Sequence, residues 1–400
     1  MKSIKEIYKI GMGPSSSHTM GPRKAAEMFA AENPGADEFI VTLYVSLAKT
    51  GRGHRTDAAV TEAFAPRPCS IVFDEETTDL PHANTLDFCA IKAGNEISRA
   101  RVLSVGGGDI EFVGRPKITP TDVYPHSTFD EIADFCTLNK LKLSEYAERF
   151  EGAEIREFLK DVWHAMMREI DEGLSATGIL PGGLNVERKA KYLYNQAPRN
   201  ESETNRENRI VCSYAFAAGE QNADLGIVVT APTCGACAVV PAVLRYAAEK
   251  YGFSEKKIVS ALAVGGLIGC IIKENASISG AECGCQAEIG SACSMAAAAL
   301  CELFDMDSAQ IEYAAEVAME QYLGLTCDPI CGLVQIPCIE RNAVAAMRAI
   351  NCLSLATFLT DTSKISFDFV VKTMYETGKD IPKRYRETAE GGLAKLKNKV

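Results

Sequence analysis

The residues of this 400-residue chain that could do chemistry are unevenly spread among its fifteen cysteines and five histidines. Cys69, Cys89 and Cys136 are the only cysteines before residue 200, and the rest fall between Cys212 and Cys352. His18, His54, His82, His126 and His164 all lie in the first 164 residues. Thiol ligands and an imidazole base that are to meet must therefore come from two parts of the chain. The stretch from Gly280 to Gly290 (GAECGCQAEIG) is glycine-punctuated and carries Cys283 and Cys285. Cys327-Asp328-Pro329-Ile330-Cys331-Gly332 and Pro337-Cys338 follow. Cysteines in loops flanked by Gly and Pro are placed as ligands rather than core filler, and the chemistry they point to is that of an iron–sulfur cluster.

Cys270, Cys293, Cys301 and Cys352 sit in apolar helical runs, where buried thiols act as small hydrophobes. The lone Cys234-x-x-Cys237 lacks the second pair, or the βαβ setting, of a zinc or thioredoxin site. That leaves Cys283, Cys285, Cys327, Cys331 and Cys338, of which any three or four would serve. Among the histidines, His18 (SSSHT) and His54 (TGRGHRTD) occupy Ser- or Gly-rich loops at helix starts. His82 and His126 adjoin prolines in connecting loops, and His164 lies on a helical segment. Ser15, Ser16 and Ser17 precede a helix, where free N–H groups suit a carboxylate; a capped helix without ligand is the plain alternative. Lys273 and Asn275, in a polar loop between apolar helices, offer donors to an anionic substrate or cap the helix.

Elements that position these residues follow from patterning. Phe39–Leu47, Cys69–Phe73, Thr85–Ile91 and Arg101–Val105 are β-branched, aromatic or apolar runs that predict strands. Pro22–Ala31 and Gly53–Phe64 predict helices, and Gly106-Gly107-Gly108 predicts a tight turn. Residues 1–150 should thus form an α/β sandwich. From residue 151 to 400 the pattern is helical throughout, over Val211–Asn222, Ala236–Tyr251, Glu255–Ile272, Ala287–Phe304, Ser308–Leu323, Ile339–Ala356 and Phe367–Thr377. This half should be all-α, with 198–209 an exposed polar loop. The expected class is α+β, in two domains divided near residue 150.

Composition excludes several functions. Net charge is −11 with pI 5.2, and no basic run occurs, which argues against nucleic acid. The N-terminus lacks the apolar core of a signal peptide. The longest apolar run, Ile258–Ile272, is short for a bilayer span and predicts a buried helix, so no membrane is expected. An odd cysteine count without an export signal indicates reduced thiols in the cytoplasm. Neither a Walker loop nor a G-x-G-x-x-G follows any strand.

Taken in order, GMGPSSSHTMGP, TGRGHRTD, SISGAECGCQAEIGSACSMAAAAL, LGLTCDPICGLVQIPCIERNAV and YRETAEGGLA resemble the iron–sulfur-dependent L-serine dehydratases (L-serine ammonia-lyases) in their single-chain form. The resemblance implies a [4Fe–4S] cluster on Cys285, Cys327 and Cys338; Cys283 and Cys331 fall where the family pattern asks for no cysteine. It implies an N-terminal domain similar to regulatory serine-binding domains, a helical cluster domain, and a homodimer. Some members carry a C-terminal cysteine that reaches the cluster, whereas this chain ends Lys395-Leu396-Lys397-Asn398-Lys399-Val400. The implied reaction is β-elimination of L-serine to pyruvate and ammonia. His54 matches the family's G-H-x-T-D motif and is the expected base, with His18 second. Ser15, Ser16, Ser17, Lys273 and Asn275 would hold the substrate. The same chemistry on threonine or cysteine is a rival reading, and a serine-sensing module is another for residues 1–150.

Overall fold

Period-two alternation builds the first unit. The protein, a computed structural model, is described over residues 1–77, 79–116, 120–359, 363–388 and 390–398. Lys399 and Val400, the last of the cysteine-free C-terminal run, lie outside the described residues. β1 (Ile10–Met12) and α1 (Gly21–Glu32) lead to β2 (Glu38–Tyr44), which buries Phe39, Val41 and Leu43, with Ile40 exposed and Thr42 half-buried between them. α2 (Val45–Thr50), α3 (Thr56–Phe64), β3 (Cys69–Asp74), β4 (Thr85–Lys92), β5 (Asn95–Gly106) and β6 (Asp109–Phe112) complete it. The sheet order is β3-β2-β4-β5-β6, with β2 and β3 parallel and the other neighbours antiparallel. α1 and α3 cover one face through Phe29, Phe39, Phe64 and Phe88, whose rings stack as closely as 4.1 Å (Phe39–Phe64).

Two details depart from the sequence pattern. The strand predicted to run to Leu47 ends at Tyr44, because Val45 takes a left-handed φ of 47° and turns the chain into α2. β6 was not predicted. Gly106, Gly107 and Gly108 all have positive φ (105°, 58° and 81°), a conformation glycine adopts freely, and they return the chain into this short antiparallel strand.

The second unit is helical: α4 (Phe129–Asn139), α5 (Leu143–Glu151), α6 (Ile155–Ser175), α7 (Ala190–Asn195), α8 (Glu203–Ala223), then β7 (Ile227–Val229), α9 (Val239–Tyr251), α10 (Glu255–Asn275), α11 (Gly280–Cys283), α12 (Ile289–Leu303), α13 (Ser308–Glu320), α14 (Cys338–Leu359) and α15 (Phe367–Asp380). Every residue of α12 is buried, and α9, α10, α13 and α14 pack around it. Its alanines allow close helix approach. The polar run expected as loop is helical from Glu203, with the Ser202 hydroxyl capping α8. α10 is apolar and long enough to span a membrane, but 78% of its apolar window is buried inside the protein.

The chain's first residues belong to this second unit. Ile4, Ile7 and Tyr8 are fully buried against α10, where Gly265, Gly266 and Gly269 leave room for them. β1 then pairs with β7 (Ile10 with Val229, Met12 with Ile227). The smaller core runs from Ala25 to Val102, and the larger takes residues up to Met20 and again from Tyr124. The packing therefore changes hands between Phe112 and Val123, upstream of residue 150.

Candidate active site between the two cores

One cavity lies where the units meet. Ser15, Ser16, Ser17, His54, Gly106 and Gly107 line it from the N-terminal part of the chain, and Thr233, Gly280, Glu288, Cys327, Cys338 and Glu387 from the helical part.

The first wall is a closed hydrogen-bond circuit. Ser15 caps a single π-helical turn, Ser16–Met20, by accepting from the His18 N–H at 3.1 Å. The Thr19 hydroxyl donates to the His54 carbonyl at 2.8 Å, which ties this loop to the next. His18 and His54 are both buried, with ring centroids 4.4 Å apart. The nitrogens of His18 lie 2.9 Å from the hydroxyls of Ser17 (Nδ1) and Ser46 (Nε2). Nδ1 of His54 donates to the Thr50 carbonyl at 3.1 Å, so in the neutral ring Nε2 holds the lone pair. That Nε2 has no hydrogen-bond partner, and burial pushes its pKa down to about 4. His18 is also held well below the usual range, by burial first and then by His54.

Glu387 faces this nitrogen, with Oε1 3.7 Å from His54 Nε2. Its backbone takes a left-handed φ of 57°, and its N–H donates to the Cys327 carbonyl at 2.8 Å. Burial, and then the neighbouring Glu288, push its carboxyl up to about 8. Ligand atoms of His18, His54 and Glu387 lie within 4.8 Å of one another. The two rings stack at 28°, however, so their in-plane lone pairs run side by side instead of converging on one ion.

The second wall carries the thiols. Cys285 starts a 3-10 turn after Gly284, Cys327 follows Thr326 in a loop, and Cys338 is the first residue of α14. The Cys327 thiol donates to Glu288 Oε2 at 3.8 Å, and Cys285 is held below the usual thiol range first by the neighbouring Cys327. Cys327 is pushed up first by the adjacent Cys285 and then by burial, and Cys338 by burial. The Arg341 guanidinium lies beside Cys285 and donates to the Thr326 carbonyl (2.7 Å) and to Asp328 (3.1 Å). None of the three thiols is in a disulfide. Three thiols from separate loops beside a fixed cation are a donor set that fits an iron–sulfur cluster.

Residues 85–394 match the family described as serine dehydratase alpha chain, and residues 3–68 match serine dehydratase beta chain. The L-serine dehydratase TdcG of Escherichia coli K12 is 40% identical over 98% of this chain and 99% of its own length. An L-serine dehydratase of Streptomyces coelicolor is 41% identical over 98% of each chain, and one of Haemophilus influenzae is 40% identical over 98% of this chain and 99% of its own. This chain belongs to the serine dehydratase family.

Of the residues singled out in this serine dehydratase sequence, Ser15, Ser16, Ser17, His18, His54, Cys285, Cys327 and Cys338 gather at the cavity or in its walls. Lys273 and Asn275 do not line it. The Lys273 ammonium lies 3.4 Å from the Glu6 carbonyl and 3.6 Å from Asp109, and Asn275 donates to the carbonyls of Ser127 and Ile271. Cys283 packs on Gly378, where a Cβ would come within 2.6 Å of its sulfur. Cys331 is exposed. Its carbonyl lies so near Gly53 that a Cβ there would be 3.0 Å away, which is how the two loops meet. Sequence reasoning missed Glu288, Glu387, Thr233 and Arg341. Glu288 and Glu387 stand inside stretches quoted above (GCQAEIG and YRETAEGGLA), but a buried carboxyl looks like a surface one in sequence.

Proposed function

We propose that this chain is an L-serine dehydratase that converts L-serine to pyruvate and ammonia by β-elimination. The observation that carries the reading is the meeting of a partnerless His54 Nε2 and the thiols of Cys327 and Cys338 across one cavity. Cys285, Cys327 and Cys338 are the residues that would hold a [4Fe–4S] cluster. Bound there with one iron free of protein ligands, it would supply Lewis-acid activation of the departing hydroxide.

The protein's own groups do the rest. Ser15, Ser16 and Ser17 present hydroxyls and a helix-start N–H to the substrate carboxylate. His54 takes the Cα proton on Nε2, and the Nδ1–H donated to Thr50 keeps that tautomer in place. General-base catalysis of this kind contributes about 10²–10⁴-fold. Burial keeps the imidazole neutral and ready to accept at physiological pH. Elimination of water leaves 2-aminoacrylate, which takes up water to give pyruvate and ammonia. His18, engaged at both nitrogens, holds the serine loop and packs the base. The division of labour fits two functional parts, with bases and serines from residues 1–150 and thiols from 151–400. A cytoplasmic homodimer belongs to this reading through the resemblance alone.

The test is anaerobic purification followed by iron and labile-sulfide analysis and a serine-to-pyruvate assay under argon. About four irons per chain are expected, with broad sulfide-to-iron charge-transfer absorption. Tightly bound zinc without labile sulfide, or no pyruvate from an iron-loaded protein, overturns the reading.

A further inference from the structure

The cavity holds a carboxyl group that the elimination as described does not use. Glu288 stands just before α12 without making a side-chain cap to it, and its Oε1 accepts from the Thr233 hydroxyl at 2.7 Å. Its Oε2 accepts from the Cys327 thiol at 3.8 Å. Two glycines face it. A Cβ at Gly235 would lie 3.0 Å from Oε1, and one at Gly280 would lie 2.7 Å from Oε2. The carboxyl is thus bare of side chains on both sides where it looks into the cavity. No lysine or arginine forms an ion pair with it among the described residues. The nearby Arg341 is committed to Thr326 and Asp328.

An independent observation marks the same cavity as a ligand site: His54 Nε2, on a side chain only 1% exposed, lines it without a hydrogen-bond partner, with Glu387 no nearer than 3.7 Å. Serine has four groups on Cα. In the reading above, the hydrogen goes to His54, the carboxylate to Ser15–Ser17 and the hydroxymethyl group to the thiol wall. The ammonium group remains, a cation with three donors, and Glu288 with Thr233 is the polar wall left over. Glu387 looks toward His54 instead, on the side where the proton leaves.

We infer that Glu288 receives the α-ammonium group of the substrate, so that the site selects 2-amino acids over 2-hydroxy acids. The inference rests on the serine dehydratase reading and adds the contact that reads the amino group. A carboxylate out of water gains strongly from an ammonium partner, whereas a hydroxyl offers it a single donor and no charge. Sites built to pair with a polar group reject the analogue that lacks it.

The test uses anaerobic holoenzyme and two unreactive probes, L-alanine and L-lactate, which lack the leaving hydroxyl and differ only at the group in question. Calorimetry should show wild-type protein binding L-alanine at least tenfold tighter than L-lactate. In Glu288→Gln with wild-type iron and sulfide content, L-alanine should weaken by about 10- to 100-fold while L-lactate stays unchanged. KM for L-serine should rise by a similar factor, with a smaller change in kcat. Equal binding of the two probes by wild type overturns the inference. So does a preference that survives Glu288→Gln, or one that is lost in Glu387→Gln instead. If Glu288→Gln does not hold the cluster, Glu288→Asp keeps the charge but withdraws it by one methylene. L-Alanine alone should then weaken, and equal weakening of both probes overturns the inference. Holoenzyme that makes pyruvate yet fails these tests refutes only the ammonium contact, whereas protein that makes no pyruvate refutes the activity itself.

Discussion

His18 and His54 lie face to face with ring centroids 4.4 Å apart, and of their four ring nitrogens only His54 Nε2 lacks a partner. Two rings this close cannot both carry charge cheaply, and the cavity wall around them is closed by hydroxyls and a backbone carbonyl. The pair thus divides into a base and a support.

That division predicts unequal variants. His54→Ala should keep its iron and sulfide while kcat falls by about 10²–10⁴-fold. His18→Ala removes the packing surface and the ties to Ser17 and Ser46, and should lose no more than about tenfold in kcat with KM raised. Pyruvate assays on cluster-matched protein decide this, and equal losses would contradict the assignment.

The buried imidazole also makes stability depend on pH. In the folded chain His54 binds a proton only near pH 4, whereas the ordinary value is 6.5. As pH falls below 6.5 the unfolded chain takes up the proton first, so stability is full above 6.5 and drains away toward pH 4. From pH 7 to pH 5 the loss from this residue is about 2 kcal/mol. Urea unfolding of cluster-free protein at those two pH values should show His54→Gln losing correspondingly less than wild type.

The cysteines should sort by position. Cys285→Ser, Cys327→Ser and Cys338→Ser should each lose iron and activity, while exposed Cys331→Ala should keep both. Cys283→Ala should keep its iron as well, at a packing cost of about 1 kcal/mol against Gly378. Iron content together with a thermal melt separates the three outcomes.

Gly266 tests the junction of chain start and helix. A Cβ there would run into Ile4 and lie 3.0 Å from the Tyr8 ring. Gly266→Ala should destabilise by about 1–3 kcal/mol, read by denaturant midpoint, with activity per folded molecule unchanged.

Much of this architecture was legible because burial writes itself as period. Phe39, Val41 and Leu43 alternate with less buried neighbours, and α12 is largely apolar and buried from end to end. Loop chemistry was legible too, since cysteines beside Gly and Pro announce turns. Three-dimensional choices were not. Nothing local separates Cys283 from Cys285, two residues apart, but one meets Gly378 and the other Cys327. Lys273 and Asn275 look like substrate donors in sequence, yet Asp109 and the carbonyls of Glu6, Ser127 and Ile271 occupy them. Glu387 comes to His54 across most of the chain's length, on a left-handed backbone that no propensity for glutamate foretells.

The burial of Ile4, Ile7 and Tyr8 against α10 sets an order of events during synthesis. These residues leave the ribosome more than half a chain's length before Gly265, Gly266 and Gly269 exist to receive them. The four-phenylalanine sandwich can close as soon as β5 has emerged, since its core ends at Val102. The opening strand must then wait, apolar and unpaired, for β7 and α10 to be made. The serine and histidine loops can therefore take shape early, but the chamber they serve is sealed only when the start of the chain finds its late-made partner.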